Sequence, residues 1–172
     1  MEDTLRLVAE MMAVSARTAP KAAGQDYVVL KVVTGPDLER LAEAMADYGK
    51  HSGKINFDRD GANVKNSAAV LLIGLKDAKP VGLNCGACGK SKCSDLQLTE
   101  GPEFAGGICA WRIIDLGIAT GSAVKTASIL NADNRIMYRA GVAARDLGLI
   151  DADLVMGIPL SATGKSIYFD RK

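Results

Sequence analysis

Four cysteines carry the chemistry that this sequence could do. Cys85, Cys88 and Cys93 fall within nine residues, and Cys109 follows after 15 more. The segment reads NCGACGKSKC from Asn84 to Cys93, a C-x2-C-x4-C spacing before the long gap. Two cysteines separated by two residues can grip one metal centre from a single tight turn. Gly86 and Gly89 permit the backbone angles such a turn needs and leave N–H groups free to point at sulfur. Hydrogen bonds of that kind help set the potential of an iron–sulfur cluster. Four thiolates suit a [4Fe–4S] or [2Fe–2S] cluster. Structural zinc also takes four, usually as two short pairs. One pair followed by two single cysteines favours the cluster, with zinc, and then unligated thiols or disulfides, as the alternatives.

Little else in the chain offers chemistry of its own. His51 is the single histidine, with no partner pattern, and reads as an exposed loop residue. No serine or cysteine nucleophile has a recognisable histidine partner, so hydrolase chemistry has no support. No phosphate-binding glycine motif is present; Gly164-Lys165-Ser166 lacks the leading glycine of one, with Pro159 in its place. Lys90 and Lys92 sit inside the cysteine loop, read first as solvated charges and second as groups favouring a more negative, reduced cluster.

The surrounding composition bounds the function. A chain of 172 residues suggests one domain, 1–172, holding a cysteine-rich insert at 81–110. Lys plus Arg number 21 against 20 Asp plus Glu. That balance lacks the basic excess of a nucleic-acid-binding domain. A hydrophobic fraction of 48% argues for a packed core rather than disorder. The longest apolar region, Ile113 to Leu130, is interrupted by Asp115 and Lys125. A charge near the centre of a spanning helix costs ~2.5–3.5 kcal/mol, so no membrane span is expected. The acidic start, Met1-Glu2-Asp3, lacks the basic opening of a secretory signal, and a cytoplasmic location is expected.

The elements that must position the cysteines follow from periodicity. Leu5, Val8 and Met12 mark one face of a first helix over Asp3 to Ala16, ended by Pro20. Tyr27 to Val33 is a β-branched strand. Gly35-Pro36 opens a second helix with the stripe Leu38, Leu41, Ala42 and Met45, and Gly49 is its expected cap. A polar stretch from His51 to Asn66 reads as loop plus a short helix. Ala68 to Leu75 is apolar without interruption, so it should lie mid-sheet with both faces covered. Ala110 to Asn131 reads as a long central helix, apolar nearly all round, with Gly117 and Gly121 allowing another backbone close. A short helix over Ala140 to Leu147 and a strand over Leu154 to Ile158 complete an α+β pattern. Within the insert, Ser94 to Gly107 has few apolar anchors (Leu96, Leu98, Phe104), so its order should depend on the metal.

The Asn84–Cys109 segment resembles the small iron–sulfur module of the Rnf electron-transport complex B subunit and of the corrinoid iron–sulfur protein, whose members bind [4Fe–4S]. Four longer stretches resemble an uncharacterised prokaryotic family described as containing a ferredoxin domain. They are ARTAPKAAGQD (Ala16 to Asp26), DLGIATGSAVKTASI (Asp115 to Ile129), DNRIMY (Asp133 to Tyr138) and MGIPLSATGKSIYFDR (Met156 to Arg171). That family brings no established activity.

A more distant resemblance is to the nitroreductases. Their first helix ends in A-R-x-A-P-S before a strand, as Ala16 to Lys21 precede Tyr27 to Val33 here. The D-L-x-x-L-A run at Asp37 to Ala42 and Gly157-Ile158-Pro159 also match. The resemblance implies an α+β sandwich: a nitroreductase-like mixed sheet flanked by helices around a long central helix, commonly an intertwined homodimer with FMN at the interface. The R-R-S-x-R segment whose arginines hold the FMN phosphate in nitroreductases is not found among these residues, and Lys21 stands where they have serine. Arg17 and Lys21 are then the candidate flavin-phosphate donors, or else helix-end charges interacting with the terminal dipole.

The expected function is therefore that of an iron–sulfur protein carrying a four-cysteine cluster, most simply [4Fe–4S], for single-electron transfer to an unidentified redox partner. It would be an oxidoreductase if an enzyme, and a homodimer through the central helix. The alternatives are a zinc-stabilised or apo structural protein on an old flavoenzyme fold, and a flavin oxidoreductase with an auxiliary cluster.

Overall fold

The structure is a computed structural model that describes residues 1–169. Helix α1 spans Glu2–Thr18 and buries Leu5, Val8, Ala9, Met12 and Ala16 along one stripe. It stops before Pro20, with Ala19 already extended at φ −56° and ψ 140°. Strand β1 is Val28–Val33, helix α2 is Gly35–Ser52 and helix α3 is Phe57–Lys65. Strand β2 is Ala69–Leu75, buried at every residue. A long irregular stretch follows, holding the two-residue strands β3 (Thr99–Glu100) and β4 (Ala105–Gly106). Helix α4 spans Ala110–Ile129, β5 is Asp133–Asn134, α5 is Tyr138–Asp146 and β6 is Leu154–Ser161.

The main sheet has the order β1-β2-β6-β5. Every pairing in it is antiparallel, so the expected sheet contains no parallel pair among the described residues. The two faces of β2 explain its unbroken apolar run. Leu71 and Ile73 enter a core shared with α1 and α4, and Val70 and Leu72 enter a second core shared with α2, α3 and α5. The sheet is thus the middle of three layers, as an α+β sandwich requires. Strand β6 continues past Ile158 through Pro159, which is tolerated by register. Gly157 exchanges both hydrogen bonds with Met137, so by alternation Pro159 faces the same edge. There the ladder is interrupted between Asn134 and Met137, and no partner needs the N–H that proline lacks.

Several sequence expectations change. Gly49 does not cap α2; the helix runs on to Ser52, and Gly53, at φ 69°, takes the left-handed cap. Gly49 instead allows α3 to approach, because a Cβ there would lie 2.8 Å from Cβ of Phe57. His51 lies in the last turn of α2 rather than in a loop, its Nδ1 2.9 Å from the Asp47 carbonyl. Asp133 and Asn134, which open the DNRIMY stretch, pair with β6. Helix α4 is not apolar all round. It buries Arg112, Asp115 and Thr120 with its small residues and leaves Ile113, Ile114 and Ile118 exposed. Gly117 and Gly121 face outward with nothing within 4 Å of a Cβ built on either, so they do not serve packing inside the chain. The stretch from Met156 to Arg171 extends beyond the described residues at positions 170 and 171.

Candidate metal centre

The chain leaves β2 at Leu75 and does not re-enter regular structure of more than three residues until α4. Between them, Gly86 adopts φ 75° and its carbonyl accepts the N–H of Gly89 at 2.9 Å, closing the turn that carries Cys85 and Cys88. Asn84, at φ 48°, clamps the third cysteine. Its backbone N–H donates to Sγ of Cys93 at 3.3 Å, and its Oδ1 accepts the N–H of Cys93 at 2.8 Å. Cys109 reaches the same place as the buried N-cap of α4. Two residues on, the indole N–H of Trp111 donates to Sγ of Cys85 at 3.3 Å.

All four cysteines line a single cavity, closed in part by Val81, Lys90 and Trp111. None is in a disulfide. The backbone N–H of Ala87 and then the Trp111 indole hold the Cys85 thiol below its ordinary pKa. The site therefore already supplies hydrogen bonds that favour thiolate over thiol, the form that binds metal. Among the described residues no three His, Cys, Asp or Glu side chains lie close enough to grip one ion. Four cysteine sulfurs on one cavity are a donor set that an iron–sulfur cluster or a zinc ion can use.

Arg112 fixes this end of α4. It is fully buried and donates to the carbonyls of Lys79 (2.8 Å) and Ala22 (2.9 Å), to Oε1 of Gln25 (2.5 Å) and to Oδ2 of Asp115 (3.2 Å). Oδ1 of Asp115 accepts the N–H of Ala22 at 2.8 Å. The start of the insert, the α1–β1 connection and the helix that begins at Cys109 are thereby held by one buried pair.

Arg17 and Lys21 lie elsewhere, and neither lines the cysteine cavity. Arg17 donates to Oδ2 of Asp26 at 2.6 Å and to the Val28 carbonyl at 2.7 Å. Lys21, its side chain 5% exposed, donates to the carbonyls of Ala16 and Arg17 at the end of α1 and lies 3.7 Å from Asp26. Burial raises the Asp26 pKa, but its bonds to Arg17 and to the Val28 N–H outweigh this and keep it below the ordinary carboxylate value. Lys21 is thus committed to protein oxygens, while Arg17, half exposed, uses only Nη1 in its contacts.

The segment from Ser94 to Gly107, expected to lack anchors, is strapped to the scaffold by polar groups. Arg145 donates to both oxygens of Glu100 (2.6 and 2.8 Å) and to the Glu103 carbonyl (3.1 Å). Glu103 accepts from Tyr48 (2.9 Å) and Tyr138 (2.6 Å) and pairs with Lys54 at 2.7 Å. The N–H of Ala105 donates to the Asp153 carbonyl at 2.9 Å. A search for apolar anchors overlooks such residues. Sequence reading also passed over Asn84 and Trp111, although one immediately precedes Cys85 and the other, the single tryptophan, lies two residues after Cys109.

A family model described as "Uncharacterized protein containing a ferredoxin domain" matches residues 105–171. An uncharacterized protein of Archaeoglobus fulgidus is 50% identical over 169 residues, covering 97% of this chain and 91% of its own. Among solved structures, nitroreductase A from Vibrio parahaemolyticus superposes with a TM-score of 0.56 at 14% identity. That likeness covers 92% of this chain and 59% of the Vibrio protein, so this chain spans under two thirds of its length. A Desulfitobacterium hafniense nitroreductase with bound FMN gives 0.54 at 12% identity, covering 92% of this chain and 78% of its own. The fold is nitroreductase-like.

Proposed function

The chain belongs to one family with the Archaeoglobus fulgidus protein, its residues 105–171 match the model of uncharacterized proteins containing a ferredoxin domain, and from that premise we propose that it is an iron–sulfur electron-transfer protein. Cys85, Cys88, Cys93 and Cys109 would hold one cluster, of the [4Fe–4S] type. The observation that carries this reading is the convergence of all four cysteines on one cavity, none of them in a disulfide. A cluster, when bound, supplies reversible one-electron chemistry. The chain's own residues do the rest. Asn84 orients Cys93, Trp111 and Ala87 direct N–H groups at Cys85, and Arg112 holds the helix that presents Cys109. A homodimer through the exposed face of α4 and a separate redox partner complete the proposal.

Metal analysis and spectroscopy of anaerobically prepared protein test it. The expected result is iron with an equal amount of acid-labile sulfide, visible absorption that bleaches on reduction, and loss of both in Cys88→Ser and Cys109→Ser. Stoichiometric zinc without sulfide would replace this reading with the structural one. The flavin reading draws on the FMN-bound neighbour, but fold does not establish function. The contacts of Lys21 with the end of α1 stand against it, and flavin that remains bound through purification would revive it.

A further inference from the structure

We propose that the lysine-bearing rim of the cysteine turn is a docking surface for an acidic one-electron carrier protein. This rests on the iron–sulfur reading above. From residue 78 to residue 94, between the exposed Asp77 and Asp95, the chain has no carboxylate side chain, while Lys79, Lys90 and Lys92 are all exposed. Lys50, Lys54 and Lys76 each meet a carboxylate. The three rim lysines meet none among the described residues. Lys90 lines the cysteine cavity and Lys92 adjoins Cys93, so these charges stand beside the sulfurs and offset the negative charge that four thiolates bring.

The same turn is open to approach. Cys85 is exposed, and Leu83 beside it leaves 61% of its surface uncovered. A Cβ built at Gly82, Gly86 or Gly89 meets nothing within 4 Å, so no side chain stands over the backbone there. A partner could therefore come close to the sulfur-bearing turn, with Leu83 as an apolar contact and the lysines around it. An unpaired positive rim steers a partner of opposite sign and raises its encounter rate, while a small contact area lets it leave. In the exchange one electron passes between the carrier and the bound cluster. One is oxidised as the other is reduced, and no bond forms or breaks.

Stopped-flow mixing of the cluster-loaded chain with an acidic plant-type ferredoxin, in the downhill direction, tests this across a range of salt concentrations. Cytochrome c, a basic carrier, is the comparison. The rate with ferredoxin should fall about tenfold or more from low to high salt, while the rate with cytochrome c stays flat or rises. A triple variant, Lys79→Gln with Lys90→Gln and Lys92→Gln, should slow the low-salt ferredoxin rate and flatten its salt dependence with the visible spectrum intact. A ferredoxin rate that ignores or rises with salt in the unmodified protein overturns the proposal, whether or not the triple variant loads. An unchanged salt slope in a loaded triple variant also overturns it. Failure of the unmodified chain to take up iron and sulfide is a different outcome, which removes the iron–sulfur reading itself.

Discussion

At Cys85 the sulfur has two N–H neighbours from different parts of the chain, Ala87 in the same turn and Trp111 across the site. Reduction of a cluster puts more negative charge on its sulfurs, so a donor to Cys85 stabilises the reduced state. Trp111→Phe keeps the ring and removes the donor. A net hydrogen bond of about 1 kcal/mol corresponds to roughly 40 mV for one electron, so the variant's midpoint potential should fall by that order. Potentiometric titration reads it, and an unchanged or higher potential would mean that the contact has no influence on the centre. Trp111 is also the single tryptophan, so its emission should drop when the cluster assembles. The cysteines were legible because their spacing is a property of the chain. Trp111 and Cys85 are 26 residues apart, and only folding makes them neighbours.

The insert behaves as two parts rather than one. Residues 81–95 carry three of the cysteines and are anchored to the scaffold chiefly through the site. Residues 99–106 are tied down by Arg145, Glu100 and Glu103 without it. Removing the metal should therefore raise amide exchange in 81–95 and leave 99–106 protected. Exchange that rises equally in both would show that the strap depends on the metal after all. Glu103 tests the strap directly. Burial raises its pKa, but bonds from Lys54, Tyr138 and Tyr48 outweigh this and hold it below the ordinary carboxylate value. A depressed folded-state pKa contributes stability that is present above the unfolded value, about 4.3, and is lost as pH falls through the folded one. Glu103→Gln leaves Lys54 unpaired and one tyrosine hydroxyl without its acceptor. It should cost about 1–3 kcal/mol in urea unfolding at neutral pH and flatten the loss of stability below pH ~4.3. Equal stability of the two proteins at neutral pH would remove Glu103 from the account. The layers themselves were legible. An unbroken apolar strand such as β2 must be covered on both faces, and helical stripes at three and four residues must face a sheet. The strap was not, because ion pairs and tyrosine–carboxylate bonds leave no periodic trace.

At the scale of the whole molecule, many of the large apolar side chains that do not enter the core lie on two helices. Helix α4 turns Ile114 and Ile118 outward, each more than two-fifths exposed, around Gly117 and Gly121. Helix α1, joined to α4 by the 2.6 Å contact between the Ser15 and Thr126 hydroxyls, exposes Leu7, Met11 and Val14 at spacings of four and three. Sequence reading gave α4 too few charges to be solvated and placed its glycines against another backbone. The error was in the direction, because Arg112 and Asp115 are on the inner face and the isoleucines on the outer one. The homodimer proposed above would cover the apolar stripes of these two packed helices by a two-fold arrangement. Gly121→Leu separates this from a structural role. Nothing lies within 4 Å of a Cβ at position 121, so the monomer has room for the start of the new side chain, and at concentrations where dimers dissociate its stability to denaturant should rise by about 0.5–1 kcal/mol, because glycine is a poor residue for a helix interior. Against a second copy the leucine would hold the helices apart. An overpacking cost of about 1–3 kcal/mol would then weaken the dimer some 5- to 150-fold in sedimentation equilibrium. A wild-type chain that sediments as a monomer at micromolar concentration, or a leucine variant that dimerises as tightly as the parent, would leave that face for another partner.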